Sequence, residues 1–151
     1  MKAFQFRLDQ ALRWRATQAD LAKAKVAAAA GQLTGLQRQL ESRQIQLSGD
    51  ARDLTTRAAG LSLEAWPAYL KKTRREMTLI EKEMREAERK LGEQLRALVE
   101  ANRKVRLLEN LKQSERTHWN AELDRELDQF SGEAFLVRYN RESSRARSSG
   151  G

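Results

Sequence analysis

Apolar residues return every seventh position along the first 60 residues, at Leu12, Ala19, Val26, Leu33, Leu40, Leu47, Leu54 and Leu61, with no polar member. The same beat restarts at Leu70 and continues through Met77, Met84, Leu91, Leu98 and Val105. A partial second line, Ile80, Ala87, Ala101 and Leu108, follows three residues behind. Two turns of an α-helix return almost the same face, so a seven-residue apolar repeat marks a helix that buries one narrow seam against another. Two such runs with one short break between them predict an all-α fold, a long antiparallel two-helix coiled-coil hairpin over residues 1–141 followed by a disordered C-terminal tail.

The breaks in the pattern set the expected boundaries. Residues 4 to 59 contain no proline and are dominated by Ala, Leu, Gln and Arg, which predicts helix 1. Gly31, Gly35 and Gly49 are its weak points, with Gly49-Asp50 the expected kink and the neighbouring Ala27–Ala30 run a place for close backbone approach. Gly60 suits a left-handed C-cap with Leu61 folding back, giving a turn over about 60–66. A connection this short makes the helices antiparallel. Helix 2 begins either at Ser62 as an N-cap or at Pro67 in its first turn, and is taken as 67–131.

Past Leu108 the phase changes. Lys112 breaks the first line, and Leu111, Trp119, Leu123, Leu127 and Phe130 take over at irregular steps, which unwinds or ends a coiled coil. Antiparallel folding brings Trp119 and Leu123 opposite Phe4 and Leu8, an aromatic and leucine cluster at the open end. From Gly132 the chain is expected to be irregular or frayed to 141, and residues 142–151, RESSRARSSGG without its first residue, to be a flexible tail.

Composition narrows the function classes. A third of the 151 residues are charged and only 6% aromatic, too little for a thick globular core. The absence of cysteine excludes a disulfide framework and thiolate metal sites. No stretch approaches the roughly 20 apolar residues of a membrane span, and the start, MKAFQFRLDQ, lacks the core of a secretory signal. The expected location is therefore the cytoplasm, with the membrane reached only through partners.

The net charge of +8 is spread rather than clustered. Residues 1–60 hold ten basic and five acidic groups, 61–111 twelve and nine, and 112–151 seven of each. In stretches such as EKEMREAERK opposite charges fall three or four apart on one helix face, a solvated exterior that argues against a nucleic-acid-binding surface. The single histidine, His118, has Glu115 and Glu122 at helical spacing, short of the three or four convergent ligands of a metal site. With no phosphate loop and no concave pocket in a two-helix design, no enzyme activity, no metal and no cofactor are expected.

Three stretches carry a family likeness. Phe4-Gln5-Phe6-Arg7-Leu8, followed by Leu12 and Arg15, resembles the F-x-F-R-L opening of flagellar export proteins of the FliJ type. Lys104-Val105-Arg106-Leu107-Leu108-Glu109-Asn110-Leu111-Lys112, running on to Arg116, is similar to that family's L-E-x-L-K segment and its following basic residues. Trp66 and Tyr69 resemble an aromatic pair after the turn in some members, whereas Ser42, Ile45 and Gly49 replace larger residues that those members use toward the export gate. The likeness in length and layout extends to about residue 141.

The resemblance implies a non-enzymatic coiled-coil stalk of the flagellar type III export apparatus, a monomeric hairpin peripheral at the inner membrane face. Its partners would be the hexameric export ATPase, the cytosolic domain of the export gate and substrate chaperones. On that reading Arg7, Arg13, Trp14, Arg15, Glu109, Lys112 and Arg116 are candidate contacts to the ATPase ring. Trp66 and Tyr69 are candidates for the gate or chaperones. A coiled-coil scaffold or homodimer, and the equivalent stalk of a virulence-type secretion system, are the alternatives.

Overall fold

The computed structural model describes residues 2–56 and 64–150. Gly60, Leu61 and Ser62, the expected cap and turn residues, lie outside the described residues. The chain is all-α, with helix α1 over Asp9–Thr56 and helix α2 over Trp66–Ser149. Two compact units divide it, one formed by Met1–Trp14 with Lys104–Gly151 and the other by Arg15–Arg103.

The unit of residues 15–103 is a helical hairpin. Arg43 pairs with Glu76 at 2.6 Å, and the Tyr69 hydroxyl donates to Asp50 at 2.5 Å. Seven residues forward on α1, from Arg43 to Asp50, match seven backward on α2, from Glu76 to Tyr69, so the helices run antiparallel. Ala19, Leu36, Thr73 and Ala87 are the buried residues of this unit.

Burial along α2 follows the heptad from Trp66 to Lys112. Trp66, Leu70, Thr73, Met77, Ile80, Met84 and Ala87 are covered at alternating steps of four and three, and the rhythm continues through Leu91, Gln94, Leu98, Ala101, Val105 and Leu108. A 3.5-residue spacing keeps those side chains on the facing stripe and leaves the rest to charge. Arg89 illustrates that exterior, bridging Glu86 and Glu93 at 2.5 Å each. The hydrogen bond from the Arg89 guanidinium holds the Glu86 carboxyl below its ordinary value, and the Glu86 carboxylate in turn raises Arg89 above its own.

Helix α1 starts later than the sequence expectation, and helix α2 starts within one residue of the Pro67 alternative. Helix α1 begins at Asp9 rather than near Phe4, the first α-helical bond running from Leu12 N–H to the Leu8 carbonyl at 2.9 Å. A turn closes just before it, Asp9 N–H donating to Phe6 carbonyl at 3.1 Å. Helix α2 begins at Trp66, with Tyr69 N–H donating to Ala65 carbonyl at 3.0 Å. Pro67 then occupies the first turn, where its missing N–H costs no hydrogen bond.

Glycines do not interrupt α1, which passes through Gly31, Gly35 and Gly49 as one helix. A Cβ built at any of the three meets open space within 4 Å, so close backbone approach is not what these glycines provide. The largest difference lies at the far end. Helix α2 does not stop at 131, fray to 141 and give way to a flexible tail; it continues through Gly132 to Ser149. No proline follows Pro67, four arginines favour helix in this stretch, and a single glycine costs too little to end a helix. Ser143 and Ser144 fold their hydroxyls onto the carbonyls of Tyr139 and Asn140 at 2.8 Å, so they do not divert the backbone. Among the described residues no helix is long and apolar enough to cross a membrane.

Candidate interaction surface

In the unit that contains both chain ends, the segment before α1 lies along α2. Alternate residues of an extended chain share a face, so F-x-F aims Phe4 and Phe6 the same way and leaves Gln5 and Arg7 exposed. Phe6 is buried, with the Lys112 ammonium 6.0 Å from its ring centre. The Phe4 ring takes the Arg116 guanidinium at 5.9 Å and the Trp119 ring at 6.0 Å, tilted by 54°. Two extended residues advance about 7 Å, and the four helical residues from Lys112 to Arg116 about 6 Å. That match lets the two rings step down one face of α2 in opposite chain direction.

Asp9 fixes the end of this segment. Its carboxylate meets Lys112 Nζ at 3.1 Å and Arg13 at 3.1 Å, in the first turn of α1 where the helix dipole also favours negative charge. The hydrogen bond from Lys112 leads the causes that hold the Asp9 carboxyl below its ordinary value. Lys112 sits half-buried at a seam position, so it continues the heptad rather than breaking it. The expected phase change is likewise not adopted there: Leu111, Leu127 and Phe130 are exposed, while Trp119 and Leu123 are half-buried.

Of the seven candidate ring-contact residues, the structure joins Lys112 and Arg116 to the N-terminal segment. Arg13 shares Asp9 with Lys112 yet keeps most of its side chain in solvent. Arg7, Trp14 and Glu109 are exposed in the same unit, and half-buried Arg15 belongs to the other unit. Asp9 was not among the candidates. An aspartate in a first helical turn four residues before an arginine was the signal that could have found it.

Trp66 and Tyr69 do come together in the hairpin unit, ring centres 5.6 Å apart. The hydrogen bond to Asp50 raises the Tyr69 phenol above its ordinary value, because ionising it would set two anions side by side. Beside them a shallow groove is lined by Pro67, Leu70, Lys71, Arg74, Arg75 and Leu79, among others. The K-K-x-R-R run at 71–75 went unremarked in the sequence, although four cations in five residues form a locally unbalanced basic face.

His118 pairs with Glu122 at 2.9 Å, and among the described residues no group of three or more metal-ligating side chains converges. The hairpin unit is built on antiparallel helix pairing, whereas in the other unit the segment before α1 lies along α2. The chain matches no family model, no curated protein and no solved structure.

Proposed function

We propose that the protein is a non-enzymatic coiled-coil component of a flagellar type III export apparatus, binding a hexameric export ATPase, the cytosolic domain of the export gate and substrate chaperones. The single observation that best supports this reading is the F-x-F-R-L segment laid on Lys112, Arg116 and Trp119. Two of the three stretches that carry the family likeness meet there in one structure, and Arg7 is left outward on it. A narrow seam also leaves most of each helix surface free for partners, with interleaved charge supporting many weak contacts. In this reading the protein works in the cytoplasm and reaches the inner membrane face through its partners.

Co-purification with the export ATPase and with the gate's cytosolic domain tests it. The full chain should co-migrate with the ATPase and change its rate of ATP hydrolysis, and reversal of Arg7 and Arg13 to glutamate should weaken both effects about tenfold or more. Neither co-migration nor a change in hydrolysis with the wild-type chain would remove the proposal.

A further inference from the structure

The stretch of α2 beyond Leu123 carries an apolar face with no cover. From residue 124 to residue 150 every residue but Ser143 is exposed, including Leu127 at 55%, Phe130 at 70% and Val137 at 53%. Leu127, Phe130, Ala134, Val137, Arg141 and Ser144 follow one another at alternating steps of three and four, the spacing of a coiled-coil seam. Charge along the same stretch is polarised. Asp124, Glu126, Asp128 and Glu133, against the single cation Arg125, precede the middle of the stripe, and Arg138, Arg141, Arg145 and Arg147, against the single anion Glu142, follow it.

We infer that this face pairs with the same face of a second copy of the chain, antiparallel and two-fold symmetric about Phe135 and Leu136. That alignment sets Ala134 against Val137, Phe130 against Arg141 and Leu127 against Ser144 of the second copy. The flanking positions then join Asp124 to Arg145 and Glu126 to Arg147 across the interface, each pair occurring twice by symmetry. Among the described residues none of these four has an ion-pair partner in its own chain. Parallel in-register pairing would instead press Arg141 onto Arg141 in the seam, so charge selects the antiparallel arrangement.

A second feature agrees with this register. A groove on the helix is lined by Val137, Asn140, Arg141, Ser144 and Arg145. The first four are the set of positions that surround an incoming knob in a coiled coil. Phe130 of the second copy stands opposite that groove, its ring facing Arg141. The contact repeats the chemistry of Arg116 on Phe4, seen within the chain at 5.9 Å. Phe135, Leu136 and Tyr139 lie off this face and take no part. The inference uses a different surface from the proposed ATPase contacts and does not depend on them.

Sedimentation equilibrium of the full chain is the test, with circular dichroism to verify helicity. The chain should show a concentration-dependent monomer–dimer equilibrium. Asp124→Arg with Glu126→Arg should raise its dissociation constant about tenfold or more, and adding Arg145→Glu with Arg147→Glu should restore it to within about threefold. Because the chain has no cysteine of its own, a mixture of Leu127→Cys and Ser144→Cys chains should form mixed disulfide dimers faster than either variant alone. A chain monomeric to millimolar concentration, a dimer indifferent to the charge reversals, or preferential cross-linking of Leu127→Cys to itself would each overturn the inference.

Discussion

Helix α2 contains two stretches of similar propensity and opposite circumstance. From Trp66 to Lys112 its seam is covered by α1 or the segment before it, whereas from 124 onward nearly everything is exposed. Both stretches are helical. The difference teaches that backbone conformation in this chain follows local propensity, while burial follows the presence of a partner. The exposed stretch also differs in kind, substituting Phe130, Phe135 and Tyr139 for the Leu and Met of the covered seam.

The sharpest way to break that comparison is to make the same substitution on both sides of it. Leu36→Ala, in the covered seam at 8% exposure, should cost about 2–3 kcal/mol in thermal or denaturant unfolding. Leu127→Ala, at 55% exposure, should fall within about 0.5 kcal/mol of the wild type in dilute solution. Equal losses at the two positions would mean that the exposed stretch is packed within a single chain after all.

Glycine replacement gives the next largest effect. Gly31, Gly35 and Gly49 each face open space, so alanine there should stabilise the chain by about 1 kcal/mol apiece through helix propensity. Gly132 is equally open, yet the stretch of α2 around it is exposed. Gly132→Ala should therefore slow amide exchange locally around residue 132 and leave the main unfolding transition in place.

The smallest effect sits where the N-terminal segment meets α2. Asp9 has a folded-state pKa below its ordinary value, so its contribution is fully present above that value, near 3.8, and is lost as pH falls through the lowered one. Acidification below about pH 4 should release Phe4 from Trp119, read by NMR contacts between the two rings, and Asp9→Asn should remove that acid-dependent step. An unchanged acid profile in Asp9→Asn would assign the docking to the aromatic rings alone.

Much of the fold was legible because the heptad is a direct consequence of helix geometry. Every seam line read between Leu12 and Leu108 is covered in the structure, apart from Leu61, which lies outside the described residues. The end of α2 was not legible, because a serine- and arginine-rich composition without apolar periodicity signals the absence of packing, and packing was mistaken for helicity. Lys112 was misread for a related reason. A lysine at a seam position looks like an interruption until its carboxylate partner is known, and Asp9 lies 103 residues away in sequence. The meeting of Phe4 with Trp119 could be foreseen from antiparallel folding, but the extended path of residues 2–6 could not, since Phe, Gln and Arg are all tolerated in a helix.

The few polar residues in the seam have a consequence for slippage. Two helices with a nearly uniform heptad can slide past one another by seven residues and set leucine on leucine again. Within residues 15–103 such a slide in one direction would move Asp50 from the Tyr69 hydroxyl to Glu76, carboxylate against carboxylate. At the chain ends a slide would leave the Lys112 ammonium in the seam without Asp9. Arg43, Asp50 and Lys112 thus work like the notches of a key: they add little grip, but only one insertion depth turns the lock.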